Sequence, residues 1–299
     1  MTTKVIWMDG ELVNWYDATV HVTSFGLHYG IGFFEGIRCH STPAGPAIFR
    51  LTDHLRRLRQ SAAIYGFELP YCVEDIAAAC RSVVTANHLT ECYLRPIVFL
   101  GDGPNILAAK LRTAVIADEN GPLSAAPANG GVSGRISTFT KISVNSLPPA
   151  AKATGQYLNS LLAQSEAIRS GCQEAILLNS NGFVADGWAH NIFVVRDEAV
   201  ITPPLSAGAL AGITRDTIMT LACEAGFEVK EQDLVRSDLY LADECFLTGT
   251  AAGVVPVTSI DDRPVGAKEP GPVTRKLIEM LSGVTSGADA HPEWREALL

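Results

Sequence analysis

Apolar and polar positions at the start of the chain alternate as a hairpin requires. Val5 to Met8 reads as a short strand, Asp9-Gly10 as a tight turn and Glu11 to Val13 as the return. Over residues 51 to 65 the period changes. Leu55, Leu58 and Ala62 fall on one helical face, with Thr52 or Asp53 as the cap. A second helix is expected from about Val73 to Ala86, then two apolar strands, Tyr93 to Leu100 and Thr113 to Ala117. Further on, the pattern predicts a helix near Leu158 to Arg169, strands near Glu174 to Leu178 and Asn191 to Val195, and a helix from about Ile213 to Ala225. Segments 244–248 and 253–260 are β-rich, a final helix covers about 272–281, and the stretch after Ser286 reads as loose.

Strands and helices mix without a steady βαβ rhythm, which favours an α+β fold. Residues 118–131 interrupt the texture with Gly121, Pro122, Pro127, Gly130 and Gly131. Such a stretch marks a linker. It divides the chain into a smaller domain, 1–117, and a larger one, 132–299.

Composition narrows the classes. The 299 residues are 47% hydrophobic, enough for substantial cores. Acidic residues outnumber basic ones, 32 to 23, for a net charge of -9, and no basic run stands out beyond Arg56, Arg57 and Arg59 on an amphipathic stretch. Nucleic acid is therefore not an expected partner. No apolar run approaches ~18 residues, so no membrane span is expected, and the opening residues lack the apolar core of a signal peptide. Seven scattered cysteines without a C-x-x-C pair read as reduced packing residues of a cytoplasmic protein. The sequence contains no dinucleotide fingerprint, phosphate-binding P-loop, H-E-x-x-H or G-x-S-x-G. Those compact chemistries, zinc hydrolysis included, are thereby set aside, and no metal is expected. What remains is chemistry assembled from distant residues, as cofactor enzymes do.

Five groups of segments then come into register. They are His28-Tyr29-Gly30 with Phe34-Glu35-Gly36-Ile37-Arg38; Tyr93-Leu94-Arg95-Pro96; Ala151-Lys152-Ala153 with Gly155 and Tyr157; Asp186-Gly187 through Asn191-Ile192-Phe193; and Leu210, Gly212-Ile213-Thr214-Arg215 with Thr248-Gly249-Thr250-Ala251-Ala252. In order and spacing they resemble the class IV, fold-type IV aminotransferases that use pyridoxal 5'-phosphate (PLP), specifically the branched-chain branch. The resemblance spans nearly the whole chain. It implies a small α/β domain and a larger pseudo-barrel domain with PLP in the cleft, and a homodimer or higher homo-oligomer.

It also implies roles. Lys152 carries the cofactor and moves the proton at the substrate carbon. Its setting among small apolar residues suits an amine that must lose its charge, because burial disfavours the ammonium. Arg57, Ile213, Thr214 and Thr250 hold the phosphate. Guanidinium suits phosphate by bidentate donation, and Ile213 and Thr214 open a helix whose backbone N–H groups favour an anion. Tyr157 donates to the phenolic oxygen, and Asp186 faces the pyridine nitrogen. For the substrate, the resemblance assigns Ala251 and Ala252 to backbone contacts with the carboxylate and Tyr93 to that region. Phe34 falls at the apolar side-chain pocket, Gly36 among the substrate contacts, and Arg95 with Tyr29 at the distal carboxylate of glutamate. Arg95 interrupts an apolar strand, and an unpaired buried charge costs roughly 3–5 kcal/mol, so a ligand or an internal carboxylate is expected to face it.

Three departures bear on the substrate. Asp186 and His190 stand where the family has glutamates, and Ala117 to Gly121 lacks the tryptophan that lines the pocket in many relatives. The expected activity is transfer of an amino group between an L-amino acid, branched-chain or related, and 2-oxoglutarate. A specialised biosynthetic transaminase and a lyase of the aminodeoxychorismate lyase type are the alternatives.

Overall fold

Asp9 and Gly10, both at positive φ (48° and 106°), turn the first hairpin, with Met8 opposite Glu11. This is the turn whose twist matches that of its flanking strands. The computed structural model describes residues 3–119, 130–288 and 290–298. Residues 120–129, most of the expected linker, lie outside them. Two compact units are found. The first comprises residues 1–123, 151–155 and 283–299, and the second residues 124–150 and 156–282.

In the first unit, strands β1 (Val5–Met8), β2 (Glu11–Asn14), β3 (Gly32–Phe34), β4 (Ile37–Thr42), β5 (Gly45–Phe49), β6 (Cys92–Leu100) and β7 (Leu111–Asp118) share one sheet. Helices α1 (Phe25–Tyr29), α2 (Leu51–Ile64) and α3 (Val73–Ala86) accompany them. The apolar faces of α2 and α3, through Leu51, Leu55, Leu58, Ile76, Val83 and Val84, bury against Ile37, Ile48, Leu94 and Val98 of the sheet. Cys72 begins α3: its sulfur accepts from the Asp75 N–H, and the Asp75 carboxylate accepts from the Cys72 N–H.

The start of α2 differs from expectation. Neither Thr52 nor Asp53 caps it. Arg50 occupies the cap position in the left-handed region (φ 52°) without a side-chain cap bond. Instead the Thr52 N–H donates to Glu296 Oε1 at 2.7 Å, and Asp53 pairs with Arg50 Nε at 2.7 Å.

The second unit holds β8 (Val132–Ile136), β9 (Glu174–Leu178), β10 (Val184–Gly187), β11 (Asn191–Arg196), β12 (Ala199–Thr202), β13 (Val229–Glu231), β14 (Glu244–Gly249), β15 (Gly253–Ile260) and β16 (Arg263–Pro264) in a second mixed sheet. Helices α4 (Tyr157–Arg169), α5 (Ile213–Glu224) and α6 (Arg236–Tyr240) belong to the same stretch of chain, and α7 (Pro272–Ser286) begins in it and runs past its end at residue 282. The core is aliphatic: Ile176, Val184, Ile192, Leu247, Val257 and Ile260.

The segment expected to be loose after Ser286 instead forms β17 (Arg295–Ala297), antiparallel to β5 of the first sheet. Residues 283–299 therefore cluster with the first unit, whereas the sequence reading groups all of 132–299 together. The class is α+β, and no helix among the described residues is long and apolar enough to cross a membrane.

Candidate active site

In the first unit the residues of interest converge on α2 and β3. Lys152 is half-buried, and its backbone is held at both ends. Its N–H donates to Ser61 Oγ (2.9 Å), and its carbonyl accepts from the Phe34 N–H (3.2 Å). Ser61 Oγ in turn donates to the carbonyl of Arg57 (2.8 Å), so the lysine is tied to the turn of α2 that carries the arginine. Thr154 Oγ1 donates to the Gly30 carbonyl (2.6 Å). Gly30 and Gly155 approach so closely that a Cβ on Gly155 would stand 3.2 Å from the Gly30 oxygen.

Arg57 is buried rather than solvated. Its Nε and Nη2 donate to Glu35 Oε1 and Oε2, each at 2.7 Å, which fixes the plane of the guanidinium. His54 Nδ1 lies 2.7 Å from Glu35 Oε2. Burial is the largest influence on Glu35 and by itself raises its pKa, but Arg57 and His54 together outweigh it and hold the carboxyl below the usual carboxylate range. Burial pushes His54 down despite Glu35 beside it, so the imidazole is neutral and donates through Nδ1–H.

Phe34 lies between two functions. Its ring centroid is 5.1 Å from Lys152 Nζ and 4.6 Å from the Arg95 guanidinium carbon. Of the two partners expected for Arg95, a ligand or an internal carboxylate, no internal carboxylate pairs with it among the described residues, and the side chain is half-buried. It lies on the rings of Phe34 and Tyr93 and donates to the Tyr93 hydroxyl at 3.3 Å. Stacking on aromatic faces and partial exposure accommodate the charge without an internal acid. Gly36 serves the buried Tyr93 directly, since a Cβ there would stand 1.6 Å from the phenolic oxygen. Tyr29, at the end of α1, is exposed.

The second unit carries the other set. Asp186 is buried, with both carboxylate oxygens on Lys141 Nζ, at 2.8 and 2.6 Å. Its pKa is raised: burial dominates, opposed by Lys141, the Leu210 backbone N–H and His190. Asn191 Nδ2 donates to the Leu210 carbonyl (2.9 Å), so Asp186 and Asn191 clamp Leu210 through its N–H and its carbonyl ahead of α5. Gly212 caps that helix, and a Cβ on it would stand 1.9 Å from Asn191 Oδ1. Ile213 and the buried Thr214 follow as the first helical residues. Thr250, Ala251 and Ala252 form the partly buried turn between β14 and β15. Tyr157, also partly buried, opens α4. His190 is buried against Gly249, with Nδ1 3.4 Å from Glu174 Oε2.

The sequence reading gives Glu35, His54, Ser61 and Lys141 no role. His54, Arg57 and Ser61 share one face of α2 at spacings of three and four, a polar line inside an apolar stripe that is visible in the sequence. Lys141 leaves no such signal.

Each unit carries groups whose chemistry suits PLP. In the second, a helix N-terminus with a threonine hydroxyl suits a phosphate and a buried carboxylate suits a protonated ring nitrogen; in the first, a lysine is held firmly by its backbone. Residues 32–260 match the family described as amino-transferase class IV. The chain belongs to that family, and its fold is the two-domain α+β fold of type IV. It is 44% identical over 302 residues to the branched-chain-amino-acid aminotransferase of Salmonella typhimurium, covering 98% of this chain and 97% of that protein. It is 45% identical over 296 residues to the Pseudomonas aeruginosa protein of the same name, covering 97% and 96%. The solved branched-chain amino acid aminotransferase of Escherichia coli superposes with a TM-score of 0.96 at 42% identity, covering 99% of this chain and 100% of that one. The branched-chain amino acid aminotransferase of Thermobaculum terrenum, solved in its PLP form, superposes with a TM-score of 0.93 at 34% identity, covering 100% of this chain and 99% of that one.

Proposed function

We propose that this chain is a PLP-dependent transaminase that exchanges the amino group between branched-chain or related L-amino acids and 2-oxoglutarate, and that it works in the cytoplasm as a homodimer or higher homo-oligomer. The observation that carries the substrate reading is Phe34, an apolar ring within 5.1 Å of the Lys152 amine and 4.6 Å of the Arg95 guanidinium. One surface thereby offers both an apolar wall for an aliphatic chain and a cation for the distal carboxylate of glutamate. Burying a branched aliphatic side chain contributes roughly 1.5–3 kcal/mol.

PLP, when bound, would supply an electron sink for the bond broken at the substrate α-carbon and a carrier for the amino group. Lys152 Nζ would anchor the cofactor and, as the free amine, would take the proton from the substrate α-carbon and return it on the other side of the transfer. Arg57 presents a guanidinium of fixed plane to the phosphate, and Ile213, Thr214 and Thr250 supply backbone and hydroxyl donors to the same group. Tyr157 donates to the phenolic oxygen, and Asp186 keeps the ring nitrogen protonated by favouring its positive form. Ala251 and Ala252, small enough to bring the main chain close, hold the α-carboxylate with Tyr93, while Gly36 leaves room for the Tyr93 phenol. Tyr29 joins Arg95 at the distal carboxylate.

The test is an amino-donor screen with 2-oxoglutarate on the parent and on Arg95→Ala. Loss of a charge-assisted hydrogen bond of ~1.5–3 kcal/mol should cut kcat/KM for glutamate roughly 10- to 100-fold. Leucine and valine should change by less than about threefold. Equal losses for both classes, or no transfer from any branched-chain donor, would refute the reading.

A further inference from the structure

Asp186 enters the interior of the second unit through an irregularity in its strand. Val184 lies opposite Leu178 and Asp186 opposite Leu177, so Ala185 is an extra residue in the β9–β10 ladder. A bulge of this kind re-aims the side chain beside it. The groups facing the carboxylate come from three places: Lys141 from the loop after β8, the Leu210 N–H from the segment before α5, and His190 from the turn into β11. Lys141 is itself built in. Its N–H donates to the Leu178 carbonyl (2.8 Å) on β9, and its stem passes Gly208, where a Cβ would stand 3.6 Å from Lys141 Cγ.

A carboxylate that deep in the protein is disfavoured by burial, and among the described residues Lys141 is its one full positive charge at hydrogen-bond distance. We infer that Lys141 is a positioning residue for the cofactor: its ammonium holds Asp186 as an oriented carboxylate for the ring nitrogen. The inference rests on the reading of Asp186 as the partner of that nitrogen. It gives a physical account of the exchange of glutamate for aspartate, because a short carboxylate reached by a bulge is aimed by a cation from a neighbouring loop. Without Lys141, burial pushes Asp186 further toward its neutral form, and the carboxylate then exists only at higher pH.

The test measures PLP affinity by quenching of intrinsic fluorescence. The protein is stripped of cofactor and reconstituted between pH 6 and 8.5, with each variant referred to the parent at the same pH. Asp186→Asn should bind PLP roughly 10- to 100-fold more weakly, about equally at every pH. Lys141→Met should match that loss at pH 6 and recover toward the parent as pH rises, and the double variant should bind no more weakly than Asp186→Asn alone. If Lys141→Met does not fold, Lys141→Gln takes its place with the same expectation. Parent-like affinity at pH 6 for the Lys141 variant, a loss that is flat with pH, or losses that add in the double variant would overturn the inference. An Asp186→Asn protein with parent-like affinity would instead remove the underlying reading of Asp186, and with it the role of Lys141.

Discussion

Replacing Glu35 by glutamine changes one atom at the centre of the first unit. The carboxylate accepts three bonds: Oε1 from Arg57 Nε, and Oε2 from both Arg57 Nη2 and His54 Nδ1. An amide offers a single oxygen, and its NH2 must face at least one donor. Each orphaned buried donor costs about 1–3 kcal/mol. Removing one partner of a buried ion pair costs about 3–5 kcal/mol, because the guanidinium stays behind without its counter-charge. For Glu35→Gln we therefore expect a loss of about 3–5 kcal/mol. At roughly 2–4 °C per kcal/mol this lowers the melting temperature of the cofactor-free protein by about 6–20 °C. Differential scanning calorimetry at pH 7.5 reads it. Arg57→Met alone should be costly for the same reason, while Glu35→Leu with Arg57→Met should cost less than the two losses summed. The pH dependence follows from the direction of the shift. Glu35 is held below its ordinary pKa, so its contribution is fully present above the unfolded value of about 4.3. It is lost only as pH falls through the lower folded value, and the gap between parent and variant should stay constant from pH 8 to 5. A Glu35→Gln melting point within 2 °C of the parent, or strict additivity in the double variant, would show that the three side chains do not act as a unit.

Borohydride treatment of the PLP-loaded protein should fix the cofactor on Lys152; peptide mapping that puts it on Lys110 or Lys141 would remove Lys152 from its role. Gly36→Ala should force the Tyr93 ring aside and cost roughly 1–3 kcal/mol by overpacking, with much of the melting temperature regained in Gly36→Ala/Tyr93→Ala. No rescue would mean that the glycine answers to something other than the phenol. His40 is pushed down to about 4, by burial first and Arg38 second, so it stays neutral in the folded state. Its unfolded value is about 6.5. Stability should therefore fall as pH drops from about 6.5 toward 4, and urea titrations of His40→Gln should show a shallower fall. An unchanged slope would mean that His40 does not contribute.

Elements with a clear period could be read directly. The helix from Val73 to Ala86 and the strand from Glu174 to Leu178 have the expected limits, because each shows its burial pattern within its own residues. Strands β3 and β5 leave no such trace, since β3 has three residues beginning at Gly32 and β5 opens on Gly45 and Pro46. β17 was illegible for a different reason, since its only justification is the edge of β5 some 250 positions earlier, roughly the full span of two domains. At the site, the motif order told which segments matter, but not how their side chains pair. Glu35 meets His54 and Arg57 across 19 and 22 positions, and Lys141 meets Asp186 across 45. No local pattern encodes such distances. At Arg95 the sequence leaves a ligand and an internal carboxylate both open; aromatic rings and partial exposure accommodate the charge without the internal acid.

Closure of the first sheet by β17 has a consequence for biosynthesis. A nascent chain leaves the ribosome with β5 already made and one of its edges bare, although Ala47, Ile48 and Phe49 are buried in the finished protein. The second unit ends near residue 282, whereas the unit begun earlier waits for residues 295–297. Glu296 also brings the oxygen that satisfies the Thr52 N–H at the start of α2 and pairs with Arg81 of α3, so its arrival joins two helices to the sheet. During that wait the uncovered strand is a template for pairing with neighbouring chains on the same message. Tags or trimming near β17 should therefore show first as loss of yield during expression, before any change in the chemistry of the protein that does fold.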